Sequence, residues 1–335
     1  MMDTLKRDYL KKEIFRLDTK EKFESCALDI FQYQYKNNPV YRDYSNLLSR
    51  NPKSVDAVEM IPFLPVEFFK SHDVLTGDST VKTVFRSSGT EGQERSRHMV
   101  CDTNLYTESF TRGFEKFYGS ASDYCVLALL PSYSERNDSS LVFMVNELIK
   151  QSPSEHSGFY SHDPDGLRLV LQKLSSENAK TILIGVSFAL LDFVDSSALN
   201  FPELIVMETG GMKGRREEIV REELHTRLMK GFGCGSIHSE YGMTEMFSQA
   251  YSRQKGHFYC PGWMKVLIRD VNDAFTYLPA GKSGGINIMD LANIDSCSFL
   301  ETRDLGRVQE DGSFEVLGRF DFSDIRGCNL LAGEG

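Results

Sequence analysis

An α/β fold built on a mostly parallel sheet is the architecture this chain predicts, and three observations predict it. Apolar runs alternate with helix-like runs from about residue 84 to residue 250. The apolar runs are continuous rather than alternating, as expected of strands covered on both faces. After residue 250 the pattern breaks into short strands separated by Gly, Asp and Pro turns, which reads as a smaller β-rich sub-lobe.

Taken in order, residues 3–50 read as helical. Phe23, Ala27, Ile30, Phe31 and Gln34 recur at helical spacing and mark one buried face with a single polar member. "IPFLPVEFF" (61–69) reads as an extended connector, because each proline biases its predecessor away from helix. Strands are expected in "DYCVLALLP" (123–131), "KTILIGV" (180–186), "ELIVMETGG" (203–211) and "GSIHSEYG" (235–242). Helices are expected in "SSLVFMVNELIK" (139–150), in "SFALLDFV" (187–194) with Ser187 as N-cap, and in "RREEIVREELHTRLMKG" (215–231). In the last of these Val220, Leu224 and Leu228 line a face, Glu217–Arg221 and Glu223–Arg227 form i,i+4 pairs, and Gly231 ends the run. The sub-lobe strands are "WMKVLIRDV", "GGINIMDL", "SFLETRDLGRV" and "SFEVLGRFD". These readings divide the chain into a helical segment packed on the core (1–80), an α/β core (81–250), the β-rich sub-lobe (251–318) and a hinge and tail (319–335).

Composition excludes several classes. The 335 residues are 41% hydrophobic and 26% charged, as in an ordinary globular protein with a sizeable core. With 38 Lys+Arg against 48 Asp+Glu, the net charge of −10 repels nucleic acid. No apolar run is long enough for a membrane span, and the N-terminus lacks the apolar stretch of a secretory signal. Seven scattered cysteines with no C-x-x-C spacing argue against a disulfide framework and fit a reducing cytoplasm.

The stretch "FRSSGTEGQERS" (85–96) concentrates glycine, hydroxyls and arginine. Such a loop can turn backbone N–H groups toward anionic oxygens, and nearby cations add charge. It matches neither the G-x-x-x-x-G-K-[ST] nor the G-x-G-x-x-G pattern, so alone it is equally a solvated turn. Three later segments accompany it: "SEYGMTE" (239–245), "ETRDLGR" (301–307) and "GRFDFSDIRG" (318–327). Together, in this order, the four resemble the phosphate loop, Y-G-x-T-E, T-G-D-x-G-R and hinge motifs of the adenylate-forming superfamily of acyl-CoA synthetases and luciferases. "IPFLPVEFFKSHDV", "LPSYSERNDSSL" and "METGGMKGR" extend the resemblance to the LuxE-type acyl-protein synthetases and their phenylacetate-CoA ligase relatives, over about residues 10–331.

The resemblance implies roles. Ser87, Ser88, Gly89, Thr90 and Gly92 would hold ATP phosphates, with Arg95 where many relatives carry Lys. Gly210 and Gly211 would lie beside adenine, and Tyr241, followed by Gly242 and Met243 in the same segment, would flank it. Thr244 would donate to the α-phosphate and Glu245 would hold Mg²⁺. Asp304 would accept the ribose hydroxyls, Arg319 would approach the ribose, and Asp321 would be the hinge. The substrate implied is a carboxylic acid, fatty by the LuxE likeness, activated to acyl-AMP and passed to a thiol. That thiol would belong to Cys328, a carrier or partner protein, or coenzyme A. Plainer readings stand beside these. Thr244–Glu245 can be a helix N-cap, Asp304 a turn cap, Gly210–Gly211 a strand-end turn, Arg95 a solvated charge, and His98 and His238 structural.

Two departures matter. Full-length relatives carry a further C-terminal domain with a catalytic lysine. Here no lysine follows Lys282, so that domain is expected to be absent, leaving arginines such as Arg319 and Arg326. In "ILIGVSFALL" (182–191) the chain also nearly spells a G-x-S-x-G nucleophile elbow, which makes a hydrolase or acyltransferase using Ser187 a rival reading. A non-catalytic nucleotide-binding core is another.

Overall fold

The computed structural model describes residues 2–88, 94–132, 134–196, 198–210 and 219–320. Gly89, Thr90, Gly92, Gly211, Asp321 and Cys328 lie outside the described residues, as does Glu217 of the expected 217–221 pair.

Helices α1 (Met2–Glu13), α2 (Lys20–Asn37) and α3 (Pro39–Leu47) open the chain. Thr19 caps α2, and Asn38 caps α3 by accepting from Tyr41 N at 3.0 Å. The buried face of α2 is the expected one, Gln34 included. Its amide nitrogen donates to Ile294 O at 3.0 Å and its oxygen accepts from Ser298 N at 3.0 Å, so a fully buried polar group is satisfied. The same contacts tie the N-terminal helices to the loop around residue 295. There Asp295 also receives Arg7 through two bonds, at 2.6 and 2.7 Å. The expected connector splits into β1 (Leu64–Pro65) and a short helix α4 (Phe68–Ser71).

A hairpin of β2 (Thr83–Arg86) and β3 (Arg97–Val100) flanks the glycine-rich loop. Next come α5 (Thr103–Tyr118), β4 (Cys125–Leu129), α6 (Ser140–Gln151), β5 (Gly158–Phe159), α7 (Pro164–Ser176), β6 (Thr181–Val186), α8 (Ser187–Ser196), β7 (Ile205–Thr209), α9 (Arg221–Phe232), β8 (Ile237–Tyr241) and β9 (Ala250–Ser252). The sheet order is β5-β4-β6-β7-β8-β9, parallel except for β9. Every residue of β4 and β6 is buried, which explains their unbroken apolar runs. A second sheet contains β10 (Met264–Arg269), β11 (Ser283–Asp290), β12 (Phe299–Val308) and β13 (Phe314–Arg319) in antiparallel pairing, and β1 adds parallel to β12. One apolar core joins both sheets to the N-terminal helices, and a smaller one fills the far face of the parallel sheet under α7, α8 and α9.

Several expectations are corrected. Helix α9 begins at Arg221, so Val220 is its N-cap and is 69% exposed rather than part of the buried face. Gly231 does not end it. A Cβ there would meet Val194 Cβ at 2.4 Å, so this glycine permits close packing of α8 on α9. The C-cap is Gly233, at φ +67°. Arg227 pairs with Asp195 across the two helices rather than with Glu223. Ser187 is the first residue of α8 and its hydroxyl points sideways to Glu208 and Gly210 O, so it is no N-cap. Helices α5 and α7 went unforeseen: α5 uses Ser109 and Gly113 on its buried face, and α7 starts at Asp163–Pro164, which reads equally as a turn.

Phe299 is fully buried between the rings of Tyr41 and Phe63, where the N-terminal helices meet the second sheet. Phe299→Ala is expected to cost about 3–5 kcal/mol of unfolding free energy, read as a lowered urea midpoint. A loss below about 1 kcal/mol would show that this junction is not a packed core.

Candidate active site

The site lies at the carboxyl ends of the parallel strands, where open α/β sheets bind ligands. Four pieces of chain meet there.

The first is the neck of the glycine-rich loop. Arg86 N donates to Asp138 O at 2.7 Å, and Ser96 N donates to Ser87 Oγ at 3.0 Å. Arg95 Nε donates to Ser87 O at 2.6 Å and its Nη2 to Asp138 Oδ2 at 2.8 Å. Asp138 also receives Arg136 Nε at 3.1 Å, and these two arginines hold its carboxyl below the usual range against the opposing effect of burial. Arg95 is thus neither a loose charge nor aimed freely at the loop. It clips the two limbs to the segment after β4. Ser88 is exposed.

The second is the step after β8. Thr244 and Glu245 sit in a turn, with Met246 N bonded to Met243 O at 3.1 Å, so they do not cap a helix. Glu245 is buried, which pushes its carboxyl pKa up, while a hydrogen bond from Ser96 and the charges of Arg319 and Lys70 act the other way. His98, two residues past the neck, places Nδ1 2.7 Å from Thr244 O and joins the neck to the turn. Asn293 Nδ2 donates to Glu245 O at 2.7 Å, and Asp290, fully buried, accepts from Phe247 N at 2.7 Å and Ser248 N at 3.0 Å. The chain leaving the turn is therefore seated in a satisfied polar socket.

The third is an acid between the two sheets. Asp304 of β12 accepts from Tyr241 Oη at 2.8 Å on one oxygen and from Arg319 Nε at 3.1 Å on the other. The β12–β13 register places Asp304 opposite Arg319. The Tyr241 ring stands edge-on to Phe258 and Phe314, with centroids 5.9 and 5.4 Å away.

The fourth is the end of β7. Gly210 adopts φ +68° and its carbonyl accepts from Ser187 Oγ at 2.6 Å. Ser187 Oγ also lies 3.0 Å from Glu208 Oε2, and His225 Nε2 lies 3.6 Å from the other oxygen of that carboxylate. The order is Ser–Glu–His, so no imidazole reaches the serine, and the hydroxyl is 1% exposed. A hydroxyl with neither an imidazole nor access is a poor nucleophile. Burial would raise the Glu208 carboxyl, but His225, Arg221 and Ser239 hold it below its ordinary value. One strand over, burial pushes Glu240 up to about 7, despite a hydrogen bond from Thr209 and with the Glu208 charge adding to the rise.

Sequence reasoning missed Ser96, Glu240, Asp290 and Asn293, and set His98 aside. Ser96 closes the glycine-rich segment and His98 lies just past it, and Asn293 sits in "LANIDS", which has no pattern of its own. Among the described residues no helix is long and apolar enough to cross a membrane, and no group of three His, Cys, Asp or Glu could hold a metal by themselves. Six cysteines are described, all free.

The fold is shared with acyl-CoA ligases of solved structure. It resembles 2-hydroxyisobutyryl-CoA ligase in complex with 2-HIB-AMP and CoA (TM-score 0.66, 14% identity, 91% of this chain and 72% of that one). It also resembles ATP-bound MatB from Rhodopseudomonas palustris (TM-score 0.54, 18% identity, 72% of this chain), spanning 49% of that protein's length. The chain belongs to the LuxE acyl-protein synthetase family, whose model matches residues 13–334. A curated relative, the long-chain-fatty-acid–luciferin-component ligase of Vibrio harveyi, is 24% identical over 325 residues, covering 90% of this chain and 84% of its own.

Glu240 gives a pH test. The folded protein keeps its proton to about pH 7, whereas an unfolded glutamate loses it near pH ~4.3. Its stabilising contribution is thus complete in acid and disappears as pH rises toward 7, by of order 3 kcal/mol. Unfolding free energies of wild type and Glu240→Gln measured from pH 5 to 7.5 should therefore diverge, with the variant gaining relative stability as pH rises. Parallel curves would mean that Glu240 is ionised throughout.

Proposed function

We propose that the chain activates a carboxylic acid, fatty by class, with ATP and then transfers the acyl group to a thiol. The observation that carries this reading is convergence. The loop neck, the Thr244–Glu245 turn and the Asp304 carboxylate, far apart in the chain, come together at one sheet end and are linked by the His98–Thr244 and Tyr241–Asp304 contacts. Family membership and the name of the Vibrio harveyi relative support the substrate class.

In this reading Ser87, Ser88, Gly89, Thr90 and Gly92 cradle the β- and γ-phosphates, and Thr244 donates to the α-phosphate. Asp304 has two oxygens, which suit the two ribose hydroxyls. Both are now engaged by Tyr241 and Arg319, so the nucleotide exchanges for one or both partners. Gly210 and Gly211 leave room beside the base, and Tyr241, Gly242 and Met243 form its wall. One buried carboxylate beside phosphate oxygens is a fitting donor set for Mg²⁺, which favours one or two carboxylates plus substrate phosphate, and Glu245 would supply it. Bound there, Mg²⁺ would offset the repulsion between a carboxylate and a polyphosphate.

The chemistry follows from charge. The substrate carboxylate oxygen bonds to the α-phosphorus, the bond to the bridging oxygen breaks, and pyrophosphate leaves. Hydroxyl and N–H donors fixed around the phosphates stabilise the charge that develops. A thiolate then attacks the acyl carbon of the mixed anhydride and AMP departs. Cys328 is the proposed acceptor on this chain, with Arg326 nearby in sequence to favour the thiolate. A carrier protein, a partner protein and coenzyme A are the other acceptors the chemistry allows, and Asp321 is the proposed hinge.

Carboxylate-dependent ATP–pyrophosphate exchange across a panel of short, long-chain and aromatic acids tests the reading, with long-chain acids expected to work best. No exchange with any acid would refute it. Asp304→Asn is expected to raise KM for ATP about 10- to 100-fold, since hydrogen bonds to a charged group are lost. An unchanged KM would remove Asp304 from the nucleotide site. For the acceptor, protein incubated with ATP and labelled fatty acid should carry a thioester cleaved by neutral hydroxylamine. Label retained in Cys328→Ala would exclude this cysteine.

A further inference from the structure

His98 lies on β3, two residues beyond Ser96, and is completely buried. Its ring is clamped by two phenylalanines, Phe69 edge-on at 5.6 Å and Phe247 tilted at 5.1 Å between centroids. Its Nδ1 lies 2.7 Å from the carbonyl oxygen of Thr244. A backbone carbonyl can only accept, so the ring N–H is on Nδ1. Its Nε2 lies 3.0 Å from Asn293 Oδ1, and the Asn293 amide nitrogen spends its hydrogens on Glu245 O at 2.7 Å and Cys297 O at 2.9 Å. The carbonyls of both Thr244 and Glu245 are thus held by one rigid pair of side chains. Burial pushes the imidazole pKa down to about 4 while both contacts act the other way, and Nδ1, which faces a carbonyl, carries a hydrogen in either protonation state.

We propose that His98 is a positioning residue for acid activation: the stiff ring transmits the placement of the phosphate-loop strand to the Thr244 backbone, and so aims the Thr244 hydroxyl. This rests on the functional reading above. Two features separate the ring from ordinary core filling. A buried polar ring between phenylalanines is a costly choice unless its hydrogen bond is used. The bond also goes to the very residue whose hydroxyl is assigned to the α-phosphate, where charge changes most during the reaction. A donor displaced there weakens the transition state more than the bound nucleotide, so kcat falls while KM holds.

The test uses two near-isosteres in the full chain. In His98→Asn the amide nitrogen occupies roughly the place of Nδ1 and can still donate to Thr244 O. In His98→Gln it reaches the place of Nε2 and cannot. Acid-dependent ATP–pyrophosphate exchange, normalised to folded protein, should fall about 10-fold or more in kcat for His98→Gln, with KM for ATP within about 3-fold, as for a misplaced transition-state donor. His98→Asn should recover most of that loss. Equal kcat in His98→Gln and wild type, or no advantage of Asn over Gln, would overturn the inference. If wild type itself shows no exchange, the functional reading fails instead. Should both variants fail to fold, ¹⁵N imidazole shifts of the wild-type protein, assigned through its backbone, decide. The expected result is a protonated Nδ1 whose shift moves on adding ATP with Mg²⁺. An Nε2–H tautomer or an unmoved resonance would refute the proposal.

Discussion

The Asp304 carboxylate is the point on which the site depends. It is buried, it belongs to the antiparallel sheet, and the groups that satisfy it come from two places: Tyr241 at the end of the parallel sheet and Arg319 at the end of β13. A buried carboxyl left without hydrogen-bond partners is costly. That requirement registers one sheet against the other. Around it the rings of Tyr241, Phe258 and Phe314 fill the remaining space, so the geometry is held by packing as well as by charge.

Other buried acids sit near this junction, and each has a different solution. Asp290 accepts two backbone amides and the Ser248 hydroxyl. Glu208 is drawn below its usual pKa by cationic and hydroxyl neighbours. Glu240 has one short contact with Thr209 and the like charge of Glu208, and it keeps its proton. Glu245 has Ser96 and distant cations, so burial prevails and its pKa rises.

The same local pattern also shows how a motif can mislead. "IGVSFA" has the strand–serine–helix context of a nucleophile elbow, and the structure reproduces that context. What it does not supply is an imidazole. Glu208 occupies the place an imidazole would need, and Gly210 O takes the hydroxyl hydrogen. Ser187 therefore works as a brace for the turn after β7, which sits beside the site.

What the sequence determined was whatever depends on neighbours in the chain. Continuous apolar runs identified β4, β6 and β7, the change of pattern after residue 250 identified the second sheet, and four short motifs singled out Ser87, Tyr241, Thr244, Glu245, Asp304 and Arg319 as candidates. Periodicity read α2 down to its polar member Gln34. It failed where a face is built from small or polar residues, as in α5, and where a glycine serves packing rather than termination, as at Gly231. Only the tertiary structure decided that Arg95 clips the loop, that Ser187 has no imidazole, and that His98 and Asn293 carry the Thr244–Glu245 turn. Those roles rest on contacts between residues more than a hundred positions apart for His98 and Thr244, and more than forty for Arg95 and Asp138. Such contacts are set by how layers pack, and no local spacing encodes them.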